Sequence, residues 1–254
     1  VIIDSKNLVL ENVYNQEPLS YDEIMEWCRS QAEFFKDYIC DVGTLLGAAA
    51  GQGKNILFEA QLGALRDIDY GIYPFTSSSN TIASYAPIGA GIPGCALDNV
   101  VGVMKAYSTC VGEGPFVAET AMGEAWNEKL RESGGEFGAA TGRPRRVGPF
   151  DAVASRYGIR CQKAQDIALT KLDVLGAFDK IPVITGYRLH GVLLDSFPTD
   201  SRLEEAEPVI EELPGWGCDI SGCRSWKDLP ENARKYVCTL EKLVDHPILS
   251  LIHI

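Results

Sequence analysis

Asp166-Ile167-Ala168-Leu169-Thr170 is a short apolar run that ends in a polar triplet, Lys171-Leu172-Asp173. Its length and polar boundaries suit a buried strand better than a helix. On its N-terminal side the chain reads backwards as a helix around Asp151 to Tyr157, a Gly/Arg loop from Gly134 to Gly148, and a helix-like Ala118 to Glu132. Val100 to Ala106 is an earlier run of strand type, and Asn55-Ile56-Leu57-Phe58-Glu59 reads as a short buried strand. On the C-terminal side Ile181 to Tyr187 is another strand. Ala233, Tyr236, Val237, Leu240, Leu243 and Val244 then recur at helical spacing. Strands alternating with helices predict an α/β fold, with a mostly parallel central sheet flanked by helices. In such sheets the C-terminal strand ends face the ligand crevice. That places Lys171 and Asp173 where a ligand binds. A carboxylate there can accept two hydrogen bonds from the ring N–H and exocyclic amine of guanine, a donor pair that adenine lacks. The Lys171 stem can lie across the base plane. A helix N-terminus capped by Asp173 accounts for the same triplet more plainly.

The N-terminal third adds helices. Ser20-Tyr21-Asp22-Glu23 is a capping box, and Ile24, Trp27, Cys28, Gln31, Phe34, Phe35 and Tyr38 follow as one largely apolar stripe. Val42 to Ala50 is helix-compatible until Gly51-Gln52-Gly53 stops it. About forty residues rich in Gly, Ser, Pro and Asn follow the strand at Asn55 to Glu59, too long for an idle connection. The acidic cluster Glu204, Glu205, Glu207, Glu211 and Glu212 reads as a solvated face. No repeat or low-complexity linker divides the chain, so a single domain over 1–254 is the simplest account.

The composition is that of a globular protein: 254 residues, 46% hydrophobic and 23% charged. A net charge of −12 argues against general binding to nucleic acid or an anionic membrane. No apolar run is long enough for a membrane span. The N-terminus has neither an initiator Met nor the pattern of a signal peptide, and it suggests that a segment upstream is missing. Eight scattered cysteines in a chain of this size point to reduced thiols and a cytoplasmic location rather than a disulfide framework. Cys218 and Cys223 are spaced too loosely for zinc, and no second pair follows.

Gly138-Ala139-Ala140-Thr141-Gly142-Arg143-Pro144-Arg145-Arg146 concentrates arginine on a glycine-flanked loop of an acidic protein. Guanidinium groups bind carboxylate or phosphate through paired hydrogen bonds. A basic turn paired with the acidic excess is the competing account. Asp67 and Asp69 can share a proton, ligate a metal or bond turn amides, and turn bonding is the commonest use. Ser77-Ser78-Ser79-Asn80 offers donors suited to a phosphate. Val111-Gly112-Glu113-Gly114-Pro115 is a tight turn that lets the main chain approach a ligand, or simply connects. Gly51-Gln52-Gly53-Lys54 is no phosphate loop, since it lacks the full spacing and precedes its strand. His190, His246 and His253 lie outside these constellations, so no histidine is placed for acid–base work and no catalytic residue is assigned.

Together these stretches resemble adenylosuccinate synthetase. The resemblance is carried by Ile56–Glu59, Asp67–Pro74, Ser77–Thr81, Lys105–Phe116, Ala140–Arg146, Leu169–Leu175 and Pro214-Gly215-Trp216, in order from about residue 40 to residue 245. It implies an incomplete, P-loop-NTPase-like scaffold: the C-terminal portion of a GTP-dependent ligase that joins IMP and L-aspartate with Mg2+ in purine biosynthesis, homodimeric when full length. In the family GTP phosphorylates the 6-oxygen of IMP, and the aspartate amine displaces the phosphate. By motif, Ala139, Ala140, Thr141, Gly142, Arg143, Pro144 and Arg145 would bind aspartate. Gln61, Ser77 and Arg143 would meet IMP, and Arg145, Lys171, Leu172 and Asp173 would meet GTP. Ser77 stands where Thr is common, and Gln61 is one position out of register. The family's glycine-rich phosphate loop, with its catalytic Asp, Lys and later His, has no counterpart here. The Mg2+ ligands are expected in that missing part, with none in this chain. The closing residues 249–254 do not resemble the family, whose guanine-completing motif is expected there. Two rivals stay open: a non-catalytic guanine-nucleotide-binding module, and a different GTP-using ligase on the same scaffold.

Overall fold

A computed structural model describes residues 2–139 and 141–252; Val1, Ala140, His253 and Ile254 lie outside the described residues. Where the sequence reads as one partial domain, contacts divide the chain into two compact units, residues 1–56 with 90–92 and residues 57–89 with 93–254.

The first unit holds α1 (Ile2–Asn12), α2 (Tyr21–Phe35) and α3 (Val42–Gly51). The Ser20 hydroxyl accepts from the Glu23 N–H at 3.5 Å, and Asp41 caps α3 through the Thr44 N–H at 3.1 Å. The Ser20 cap is the one the sequence announces; the Asp41 cap is seen only in the structure. The apolar stripe of α2 does not find a core: no residue of this helix is buried, and Trp27, Phe34 and Tyr38 are exposed. Residues 90–92 join this unit by close backbone approach, since a Cβ on Gly43 would sit 3.1 Å from the Gly91 carbonyl oxygen.

The second unit opens with irregular chain through α4 (Ala86–Gly89). Then come β1 (Val101–Lys105), β2 (Ser108–Cys110), α5 (Val117–Thr120), α6 (Glu124–Gly134), β3 (Arg146–Gly148) and β4 (Phe150–Asp151). After these are α7 (Ala152–Gln162), β5 (Asp166–Thr170), β6 (Lys180–Leu189), β7 (Val192–Leu193), β8 (Glu207–Pro214), α8 (Glu231–Val244) and β9 (Ile248–Ile252). β1, β5 and β9 form a parallel sheet with β5 in the middle, Lys105 opposite Thr170 and Thr170 opposite Ile252. β5 is buried along nearly its whole length, as a central parallel strand should be. A second sheet pairs β4 with β6 in parallel and β6 with β7 and β8 antiparallel, while β2 and β3 form a small antiparallel pair.

The parallel α/β expectation holds, with antiparallel additions that the sequence did not announce. One core gathers Leu169, Leu172 and Leu175 with the α8 stripe of Ala233, Tyr236, Val237, Leu240 and Val244. The Tyr236 hydroxyl donates to the Ala106 carbonyl at 2.7 Å, which docks α8 beside the end of β1. A second core joins α7 to β6 through Tyr157, Ile184, Tyr187 and Phe197.

Two expectations are corrected. Asn55 to Glu59 forms no strand, and Leu57 is 95% exposed; the apolar run has no partner strand to bury it. The helix expected over Ala118 to Glu132 is two helices, broken before Gly123. The closing residues, read as unlike the family, nonetheless join the sheet as far as Ile252, since Ile248–Ile252 is a strand hydrogen-bonded to β5. All eight cysteines are free thiols. Among the described residues no helix is long and apolar enough to cross a membrane.

Candidate functional site

Parallel pairing brings the C-terminal ends of β1 and β5 side by side, so Lys105 and the Lys171–Asp173 triplet emerge together. α6 ends nearby at Gly134, and Gly135 reverses the chain in the left-handed region at φ 60°. Gly134 has to be glycine: a Cβ there would lie 2.5 Å from the Tyr107 hydroxyl. Glu136, two residues beyond Gly134, has a side chain only 2% exposed, set between cations. Its Oε1 accepts from Lys105 Nζ and the Tyr107 hydroxyl, each at 2.7 Å, and its Oε2 from Arg145 Nη1 at 3.0 Å. Burial alone would raise this carboxyl, but the bonds from Lys105 and Tyr107 and the charges of Lys105 and Arg145 outweigh it and hold it below its ordinary value. Burial, aided by Arg145 and Lys171, pulls the Lys105 ammonium below its usual range against the pull of Glu136.

The Gly/Arg loop is a hairpin standing on Glu136. Arg145 N–H donates to the Glu136 carbonyl at 2.9 Å, Phe137 bridges Pro144, and Gly138 N–H donates to the Arg143 carbonyl at 2.8 Å. The Arg143 N–H reaches the Thr141 hydroxyl at 3.3 Å, and Gly142 turns the tip at φ 63°. Ala139, Thr141, Gly142, Arg143 and Pro144 are exposed there, and Ala140 lies outside the described residues. The Arg143 side chain forms no hydrogen bond or ion pair with the described residues. Its neighbours do: Arg145 is tied to Glu136, and Arg146 to Glu119 at 2.6 Å. The loop is therefore one unclaimed guanidinium beside two anchored ones, rather than three equivalent anion binders.

Lys171 adopts φ 62° and donates to the Gly134 carbonyl at 3.2 Å, which joins the strand end to the foot of the hairpin. Asp173 begins the short 3-10 helix Asp173–Ala177, and Leu172, not Asp173, occupies the cap position without a side-chain bond. The plain capping account of this triplet therefore fails. Leu172 is fully buried in the core, so it contributes packing.

The remaining expected residues lie elsewhere in the same unit. Ser77 and Ser79 close a small turn, the Ser79 N–H donating to the Ser77 hydroxyl at 3.1 Å. Asp67 is fully buried and accepts from the N–H groups of Asp69, Tyr70 and Thr81 at 2.9, 3.0 and 2.6 Å. Burial works against these bonds, yet they hold its carboxyl below the ordinary value. Asp67 is thus a turn former. Asp69 accepts from the Asn80 amide at 3.0 Å beside a hollow of about 150 Å³ lined also by Tyr70, Ser84 and Tyr85. Gln61 is exposed, and its side chain bonds none of the described residues.

Arg66 links the Ser77 turn to the glycine turn. It donates to the carbonyls of Phe75 at 2.5 Å and of Val111 and Glu113 at 3.1 Å each. Arg146 takes the alternate carbonyls, Gly112 at 3.2 Å and Gly114 at 2.8 Å. Four successive carbonyls are thus shared alternately by two arginines. Arg66, Lys105, Tyr107 and Glu136 were not foreseen as part of the site. Lys105 had a usable signal, its position at the C-terminal end of a strand. Among the described residues no group of His, Cys, Asp and Glu is arranged to hold a metal ion.

A family model described as adenylosuccinate synthetase matches residues 1–252. The adenylosuccinate synthetase of Trichlorobacter lovleyi is 48% identical over 250 residues, covering 98% of this chain and 57% of that protein. That of Parafrankia sp. is 46% identical over 247 residues, with 97% and 57% covered. A solved structure, fully ligated adenylosuccinate synthetase from Plasmodium falciparum, is similar with a TM-score of 0.89 at 34% identity, over 98% of this chain and 59% of that one. The chain spans about 57% of the length of the curated relatives it matches.

Proposed function

The chain belongs to the adenylosuccinate synthetase family, and from that premise we propose that it is part of a GTP-dependent ligase joining IMP and L-aspartate to adenylosuccinate. Arg143 carries the reading: an exposed guanidinium with no side-chain partner among the described residues, near the tip of a hairpin whose foot is fixed by buried Glu136 beside Lys171 and Asp173. A dicarboxylate suits that fork, which can take one carboxylate through two parallel bonds. The main chain of Ala139 to Gly142 and the Thr141 hydroxyl complete the aspartate contacts, with Pro144 stiffening the tip. Arg143 also meets IMP, and Arg145, ion-paired to Glu136, meets GTP.

Asp173 accepts the paired N–H groups of guanine while Lys171 lies over the ring. Ser77 takes the IMP phosphate through its turn, and Gln61 is assigned to the purine side of IMP by motif alone. These residues bind and orient; holding aspartate and IMP in line supplies much of the advantage of an enzyme over solution chemistry. The step in which GTP phosphorylates the 6-oxygen of IMP needs groups outside this chain. Members of the family use Mg2+. Its ligands are proposed to lie in the rest of the polypeptide, where the family's glycine-rich phosphate loop is expected. A cytoplasmic homodimer is the proposed setting.

The test is an assay of the full-length polypeptide with IMP, GTP and aspartate, with other amines and ATP as controls. Adenylosuccinate formed with GTP and aspartate only is the expected result. Ligation of a different amine, or nucleotide binding without ligation, overturns the reading in favour of its two rivals.

A further inference from the structure

We infer that Arg66 is a positioning residue for the loop proposed to hold the IMP phosphate: it holds the main chain carrying Ser77 against the Val111–Gly114 turn without touching substrate. The inference rests on the functional reading above. Arg66 ends the 3-10 turn Ala64–Arg66, and its own carbonyl accepts from the Ser77 N–H at 2.8 Å. Its Nη1 donates to Phe75 two residues before Ser77, and its Nη2 reaches across to Val111, Glu113 and the Cys110 thiol at 3.0 Å. One residue thus grips the phosphate loop by backbone and side chain at once. A flat five-donor fork can serve carbonyls on two loops together; a lysine ammonium cannot match that geometry.

The neighbouring contacts support the same placement. Phe75 lies on Gly114 so closely that a Cβ on that glycine would sit 2.5 Å from the ring. Asp67 fixes the other end of the loop through the Thr81 N–H. Among the described residues Arg66 has no carboxylate partner, only neutral carbonyls and a thiol. Its charge is left uncompensated beside the loop that would receive a phosphate dianion.

The experiment uses the full-length polypeptide and compares Arg66→Leu, Arg66→Lys and the wild type by KM for each substrate and by thermal melting. Arg66→Leu is expected to raise the KM for IMP roughly tenfold or more, as for loss of charge-assisted bonds, with the KM for GTP within about twofold. Added guanidinium ion should recover part of the loss, and Arg66→Lys should fall between. An unchanged KM for IMP overturns the inference. So does an equal rise in all three KM values that guanidinium does not relieve, since that is generalised unfolding rather than positioning. Should Arg66→Leu fail to fold, Arg66→Lys carries the test, and no rise in its KM for IMP overturns the inference. Wild-type polypeptide that makes no adenylosuccinate overturns the functional reading itself; an active wild type with an indifferent Arg66→Leu removes Arg66 alone.

Discussion

Asp173→Asn exchanges one acceptor oxygen for a donor facing the guanine amino group, so its effect is one of sign as well as strength. Preference for GTP over ATP should fall roughly ten- to a hundredfold, the usual worth of a bidentate base contact. Competition binding on the full-length protein measures this, and an unchanged preference removes Asp173 from the site. Glu136 makes a prediction in pH. Its carboxyl lies below 4.5 in the folded chain, so in acid the unfolded chain binds the proton first. Its contribution is full above the unfolded value and is lost as pH falls through the folded one. Urea midpoints should therefore drop as pH is lowered from about 6 to about 3, and Glu136→Gln should flatten the slope. An equally steep slope in the variant assigns the acid loss to other carboxylates, Asp67 first. Asp173 and Arg143 could be singled out from local chemistry, since one lies just past a recognisable strand end and the other on a glycine-flanked loop, and their proposed roles await the assays above. Glu136 and Arg66 could not be, because each also bonds a partner far along the chain, Lys105 at 31 residues and Val111 at 45, and no local spacing announces such pairs.

At the scale of elements the glycine turn gives a contrast. Gly114 has φ 107° and meets Phe75, whereas Gly112 has φ 86° and nothing nearer than Arg66 at 4.0 Å. Gly112→Ala should cost about 1–2 kcal/mol of backbone strain. Gly114→Ala should add a packing clash of about 1–3 kcal/mol. Denaturant midpoints of the two variants test this, and equal losses would show that Phe75 yields freely. Elements with a strong period were readable: β5 has the bounds its apolar run suggested, and α8 buries its expected stripe save Leu243, which is half-buried. β8 was hidden because Glu207, Glu211 and Glu212 face solvent, so an edge strand reads as a charged surface run. Asn55 to Glu59 misled for the opposite reason, being apolar without a partner.

For the whole molecule the governing fact is length, since about 43% of each compared relative lies outside the matched region. The isolated 254-residue chain is expected to form no adenylosuccinate from IMP, GTP and aspartate; detectable product from it alone would place the phosphoryl-transfer groups within these residues. The same partial span explains what composition could not reveal. Counting residues bounds this chain and not its longer relatives, whereas the acidic balance only drew attention to the arginine-rich loop, where Arg145 and Arg146 proved to be tied to Glu136 and Glu119. The shared turn has a consequence for how this region can change over generations. Arg66 and Arg146 take odd and even carbonyls of Val111–Gly114, and neither uses a side chain of the turn. The stretch is therefore permissive in spelling at Val111 and Glu113 but strict in length. Inserting or deleting a single residue would swap the parity and hand each arginine the other's oxygens.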